Sequence, residues 1–251
     1  MKKLVWLLFA LLVFCVLLLA FIPARFALEH VVDPALGLTF SGVSGTVWNG
    51  HAGEVMLHGK PMGQVDWNLS PTALLKGRKH ANLRMFGGEY RGTATVETGG
   101  GAIRVTDADV FFPVSILSGM LDVPRLQFLG DVNLKLDHLT LVDNVPTELL
   151  GEAVWNDAAV AGAAQATLGT LKARFMREGA GIAGTLSDVG NGPLQLTGDF
   201  KATPLSYRGQ AVLRARNDNP QVREALNHIG QPAGDGSVIY RVQGGMLGAS
   251  Q

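Results

Sequence analysis

Residues 131–141, DVNLKLDHLTL, decide the fold class. Val132, Leu134 and Leu136 alternate with Asn133, Lys135 and Asp137, a period of two that puts apolar side chains on one face of an extended strand. After Leu136 the apolar positions move to Leu139 and Leu141, and this change of parity predicts a bulge or bend near His138.

The same alternation recurs along the chain. Val65, Trp67 and Leu69 oppose Gln64, Asp66 and Asn68; Leu171, Ala173 and Phe175 oppose Lys172 and Arg174; Ala211, Leu213 and Ala215 oppose Arg214 and Arg216. Strands with one wet face belong to antiparallel sheets, because parallel sheets covered by helices read as unbroken apolar runs. The expected class is mainly β: an extended, curved antiparallel sheet or a β-sandwich, with a few short helices. Closure as a barrel stays open at this point. The 32 glycines suit many tight turns, Gly99–Gly101 and Asn191-Gly192-Pro193 among them. Ser70-Pro71, Asn219-Pro220 and the stretch from Pro113 to Met120 mark short helices, the second with Val222, Ala225, Leu226 and Ile229 on one face.

Leu4 to Ile22 is nineteen residues without a charge, and as a helix it would cover about 28 Å, enough for one membrane crossing. Leu4, Trp6, Leu8, Leu12, Cys15, Leu18 and Ile22 mark this span, and Lys2 and Lys3 before it keep the N-terminus cytoplasmic by the positive-inside tendency. A cleaved signal peptide is the competing reading, but its apolar stretch is shorter, and Ile22 and Arg25 spoil the small-residue sites before Ala24 and Ala27. The expected organisation is a cytoplasmic tail at 1–3, a signal anchor at 4–22, a linker at 23–37, a periplasmic β domain at 38–247 and a tail at 248–251.

Composition removes several functions. Nineteen basic against 21 acidic residues remain once Lys2 and Lys3 are set aside, so the basic surplus of a nucleic-acid binder is missing. Cys15 is the sole cysteine, which leaves stability to packing. In FSGVSGTVWNGHAGEVMLHG, residues 40–59, Gly59-Lys60 is followed by Pro61 where a phosphate loop needs a hydroxyl, and Gly42-Val43-Ser44-Gly45-Thr46 lacks the last glycine of a nucleophile elbow. The stretch therefore reads as a β-hairpin. The six histidines form no zinc-ligand pair, although a hairpin here could bring His51 and His58 together, and Asp107 and Asp109 read as a solvated strand edge. No catalytic, cofactor or metal site is expected.

Val47-Trp48-Asn49 and Val154-Trp155-Asn156 repeat a triplet, which leaves open two related β halves dividing near residues 125–150. Trp48 and Trp155 are candidate partner contacts, with filling of the β core as the alternative role.

SGVSGTVWNGHA at 41–52, WNLSPTALLKGR at 67–78 and ALNHIGQPAGDGSVIYRVQGGM at 225–246 resemble, in order and spacing, the landmarks of the type II secretion system protein N family. The resemblance implies a non-enzymatic accessory component of the machine that exports folded proteins from Gram-negative bacteria. It implies an inner-membrane protein with its bulk in the periplasm, contacting other inner-membrane secretion subunits and the outer-membrane secretin. A second reading rests on architectural likeness alone: one-faced sheets behind a membrane anchor also serve periplasmic lipid-handling proteins of the AsmA and lipopolysaccharide-transport type, with lipid on the apolar face.

Overall fold

The computed structural model of the chain describes residues 21–31, 37–74, 77–117, 125–142, 145–179, 181–203 and 205–245. The anchor positions from Leu4 to Leu18, with Lys2 and Lys3, lie outside them. No helix among the described residues is long and apolar enough to cross a membrane. The described chain is mainly antiparallel β with few helices, and it divides into two compact units at Gly99–Gly100.

The first unit holds helix α1 (Ala24–Val31), strands β1 (Leu38–Gly45), β2 (Asn49–Leu57) and β3 (Lys60–Leu69), the single-turn helix α2 (Pro71–Leu74), and strands β4 (Lys79–Phe86) and β5 (Arg91–Gly99). Each strand pairs antiparallel with the next. The β2–β3 turn is His58–Gly59, with φ of 50° and 79°, the left-handed pair that matches the twist of a two-residue hairpin. Helix α1 occupies part of the stretch expected as linker. Just before it, the Ile22 carbonyl accepts the Val47 N–H at 2.9 Å and Pro23 bridges Thr46, so the chain leaves residue 22 already stitched to the β1–β2 turn.

The second unit holds β6 (Ala102–Pro113), a 3₁₀ turn (Val114–Leu117), β7 (Leu126–Val142), β8 (Val145–Gly162), β9 (Ala166–Glu178), β10 (Gly181–Asp188), β11 (Leu194–Ala202), β12 (Ser206–Ala215), a second 3₁₀ turn (Arg216–Asp218), α3 (Pro220–Leu226), β13 (Gln231–Pro232) and β14 (Val238–Gly245). From β6 to β12 each strand pairs with its successor; β14 then pairs with β12, and β13 lies outside β14. The expected irregularity near His138 is real. Leu136 faces Gly151 but His138 faces Leu150, so Asp137 is the extra residue of a β-bulge.

Helix α3 begins as its sequence predicts. The Asn219 side chain accepts the Val222 N–H at 3.0 Å and Pro220 occupies the first helical position. Val222, Ala225 and Leu226 are buried against Leu171, Leu194, Leu196, Leu213, Ala215 and Val238, which form the main core. One ion pair locks the edge of this core. Asp188, only 10% exposed at its side chain, accepts from Arg216 at 2.7 Å, from the Gly190 N–H at 2.8 Å and from the Leu196 N–H at 2.9 Å. Burial pushes the Asp188 carboxyl up, but the Leu196 N–H, the Arg216 guanidinium and the Gly190 N–H together hold it below the ordinary carboxylate value.

Candidate functional site

Catalytic chemistry finds little to stand on. Among the described residues no group of three or more His, Cys, Asp and Glu is placed to hold a metal ion. His51 and His58 do not meet: His58 sits in the β2–β3 turn, while His51, near the other end of that hairpin, bonds Asp66 through Nδ1 at 2.7 Å. Ser44 lies opposite His51 in register, so a serine, a histidine and an aspartate share one cross-strand row. That row lies on an open sheet, with His51 and Asp66 38% and 44% exposed, and its backbone amides serve the sheet ladder instead of converging on an oxyanion. Asp109 is held by Asn133 across the strands at 2.8 Å on an exposed face, and Asp107 takes a left-handed conformation with φ of 51°.

The two faces of the second unit are far more distinctive. Register places Asp109, Lys135, Glu152, Arg174, Thr185, Asp199, Gln210 and Arg241 in one row across eight strands, with opposite signs side by side over its first four members. Opposite charges directly across a strand pair are mutually stabilising. Lys172 bonds Glu152 at 2.6 Å, and that bond, with Arg174 and Lys135 nearby, holds the Glu152 carboxyl below its ordinary value.

The other face carries no charge across two complete rows. One runs Val110, Leu134, Ala153, Ala173, Leu186, Gly198, Ala211, Tyr240; the next runs Ala108, Leu136, Gly151, Phe175, Gly184, Phe200, Gly209, Val242. In the second, glycine and phenylalanine alternate over five strands. A Cβ on Gly151 would lie 2.8 Å from the Phe175 ring, and one on Gly184 would collide with the Phe200 ring, so each ring lies across the glycine beside it. Trp67 covers its partner Gly50 in the same way and donates its indole N–H to the Val47 carbonyl at 3.1 Å.

The two candidate contact tryptophans occupy different settings. Trp48 sits in the bend before β2, half-buried, its carbonyl accepting the Leu69 N–H at 2.7 Å. Trp155 lies mid-strand in β8 against the main core, edge-on to Phe128 at 5.8 Å, and donates its indole N–H to the Leu129 carbonyl at 3.0 Å. At the sheet's outer border β13 covers only Val238 and Ile239 of β14, so beyond Ile239 that edge carries no strand among the described residues.

Sequence reading found the faces but missed the Gly–Phe row and the Asp188–Arg216 lock. Both depend on which residues stand opposite one another, and spacing along the chain does not encode that.

A family model described as "Type II secretion system (T2SS), protein N" matches residues 36–241. A protein of Vibrio cholerae named "Type II secretion system protein N" is 26% identical over 234 residues, covering 89% of this chain and 90% of that protein. One of Aeromonas hydrophila with the same name is 27% identical over 237 residues, covering 90% and 92%. No solved structure matches. With the family model spanning both units and two relatives aligned along nearly their whole length, the chain belongs to the type II secretion system protein N family.

Proposed function

We propose that this protein is a non-enzymatic, membrane-tethered component of the type II secretion machinery, and the family match over residues 36–241 carries that reading. Leu4–Ile22 crosses the inner membrane with Lys2 and Lys3 on the cytoplasmic side, and the β units stand in the periplasm. The bond from Val47 to the Ile22 carbonyl supports a short, stiff exit from the membrane. Inner-membrane secretion subunits and the secretin are the partners. The outer edge of β14 past Ile239 is where a partner strand adds, its backbone groups giving affinity and its alternate side chains giving choice. Trp48, at the bend, contributes a side contact; Trp155 is placed to support the core under it.

The test is capture of the C-terminally tagged full-length protein from native membranes after mild crosslinking, with mass spectrometry of what accompanies it. Secretion-system membrane subunits or the secretin in the crosslinked bands support the reading. Their absence, with crosslinking verified on a known membrane complex, refutes it.

A second reading, handling of lipid, is favoured by one observation: the two uncharged rows on one face of the second unit. Near-stoichiometric phospholipid without secretion subunits in the same capture would move the assignment there.

A further inference from the structure

Helix α3 covers the apolar face only toward the Leu194, Leu213 and Val238 end. The Gly–Phe row lies farther along the strands, and its side chains are half-buried without any helix over them among the described residues. From Gly151 to Gly209 this row crosses five strands, about 19 Å at the usual interstrand spacing of about 4.8 Å. One bilayer leaflet of acyl chains spans about 15 Å, half of a hydrocarbon core of about 30 Å. The glycines keep the floor low and the rings lying across them make it smooth. It offers no hydrogen-bonding side chain, so a polypeptide laid on it would have to satisfy its backbone within itself, whereas an acyl chain has nothing to satisfy.

One row beyond, register places Arg177, Ile182, Ala202, Tyr207 and Gly244 together on the same face. Arg177 is exposed and has no acidic partner within ion-pairing distance among the described residues, while its neighbour Glu178 pairs with Lys201 on the opposite face. A free cation therefore stands where the uncharged floor ends. We propose that the Gly–Phe row binds one acyl chain of a glycerophospholipid whose phosphate meets Arg177. The inference rests on the second reading and names its ligand and site. The charge beside Phe175 on β9 and the uncharged row that runs on from there to Gly209 on β12 match an amphiphile with an anionic head, and they fit neither free phosphate nor a second charged sheet.

The experiment photolabels the full-length protein in detergent with phosphatidylglycerol carrying a photoreactive palmitoyl chain and maps the adducts by mass spectrometry. Labels are expected at or beside Phe175 and Phe200. Arg177→Gln should lower them about ten-fold, and inorganic phosphate should not compete. Gly209→Leu fills the floor at the roomiest of the row's three glycines, where a new Cβ meets nothing closer than 3.3 Å, and in variant protein whose fold is verified by circular dichroism the label at Phe200 should vanish. Label that survives in folded Gly209→Leu protein, or that maps to the charged face, overturns the site. Label elsewhere on the second unit removes this site but leaves the lipid reading standing. Label confined to residues 1–22 removes both. A photoreactive residue replacing Phe200 that captures a protein, or a second copy of this chain, instead of lipid also overturns the proposal.

Discussion

Replacing Asp188 with alanine would remove three hydrogen bonds at once and strand two of their donors, the Leu196 amide and the Arg216 guanidinium, at the edge of the core, while the exposed Gly190 N–H turns to water. The Leu196 and Gly190 amides lose their acceptor, and Arg216, 29% exposed and still bonded to the Gly192 carbonyl at 2.9 Å, loses its counter-charge. Breaking a fully buried ion pair costs about 3–5 kcal/mol, and partial exposure of the arginine brings the figure here to about 3 kcal/mol. Removing both partners strands less, so Asp188→Ala with Arg216→Met should cost clearly less than the sum of the single changes. The assay is urea unfolding of the full-length protein in detergent, followed by tryptophan fluorescence, with Trp155 as the core reporter. Because the native Asp188 carboxyl titrates below its ordinary value of 3.8, its contribution is full above that value. It is lost as pH falls through the lower native value. The gap between wild type and Asp188→Asn should therefore hold from pH 7 to about 5 and narrow below about 4. A single-mutant cost under about 1 kcal/mol, or a gap that widens in acid, would refute the reasoning.

Three further outcomes use the same unfolding assay. Gly184→Ala should cost about 2–3 kcal/mol, since the new methyl must displace both the Phe200 ring and the Arg174 carbonyl 2.5 Å away; Gly209→Ala, whose methyl asks only a small shift of the exposed Val242 side chain 3.3 Å away, should cost under about 1 kcal/mol. Trp155→Ala should cost about 3 kcal/mol through lost packing on Phe128 and the core, and wild-type stability in that variant would return Trp155 to a pure contact role. Asn219→Ala should cost about 1 kcal/mol by uncapping α3, whereas Asn219→Asp should be close to neutral.

Much of this fold is legible one strand at a time. Alternation assigns Val132, Leu134 and Leu136 to the inner face, and the parity change at Leu139 announces the Asp137 bulge, because a bulge moves the side-chain period by one. Asn219-Pro220 announces α3 for the same local reason: cap and proline act within one turn. Illegible are features built sideways. Phe175 and Phe200 stand 25 residues apart with Gly184 between them in space, and the two Val-Trp-Asn triplets, alike in sequence, land in a bend and in mid-strand. Asp188 and Arg216 lie 28 residues apart and meet only once β11 and β12 have returned the chain. Helix α1 was hidden for a different reason: ARFALEHV is too short to stand without the sheet beside it.

The order of the strands has a consequence for how the molecule is born. From β6 to β12 every strand finds its partner in the strand just made, so loop closure stays short and each hairpin docks onto a finished border. A chain delivered amino-end first can then build the sheet as it emerges, with no early strand left waiting for a distant mate. Only the last steps break the sequence, when β14 passes inside β13 to reach β12 and α3 closes over the core. On this order the carboxyl end is the last part to be placed, and truncations there should stall assembly late, with most of the sheet already built.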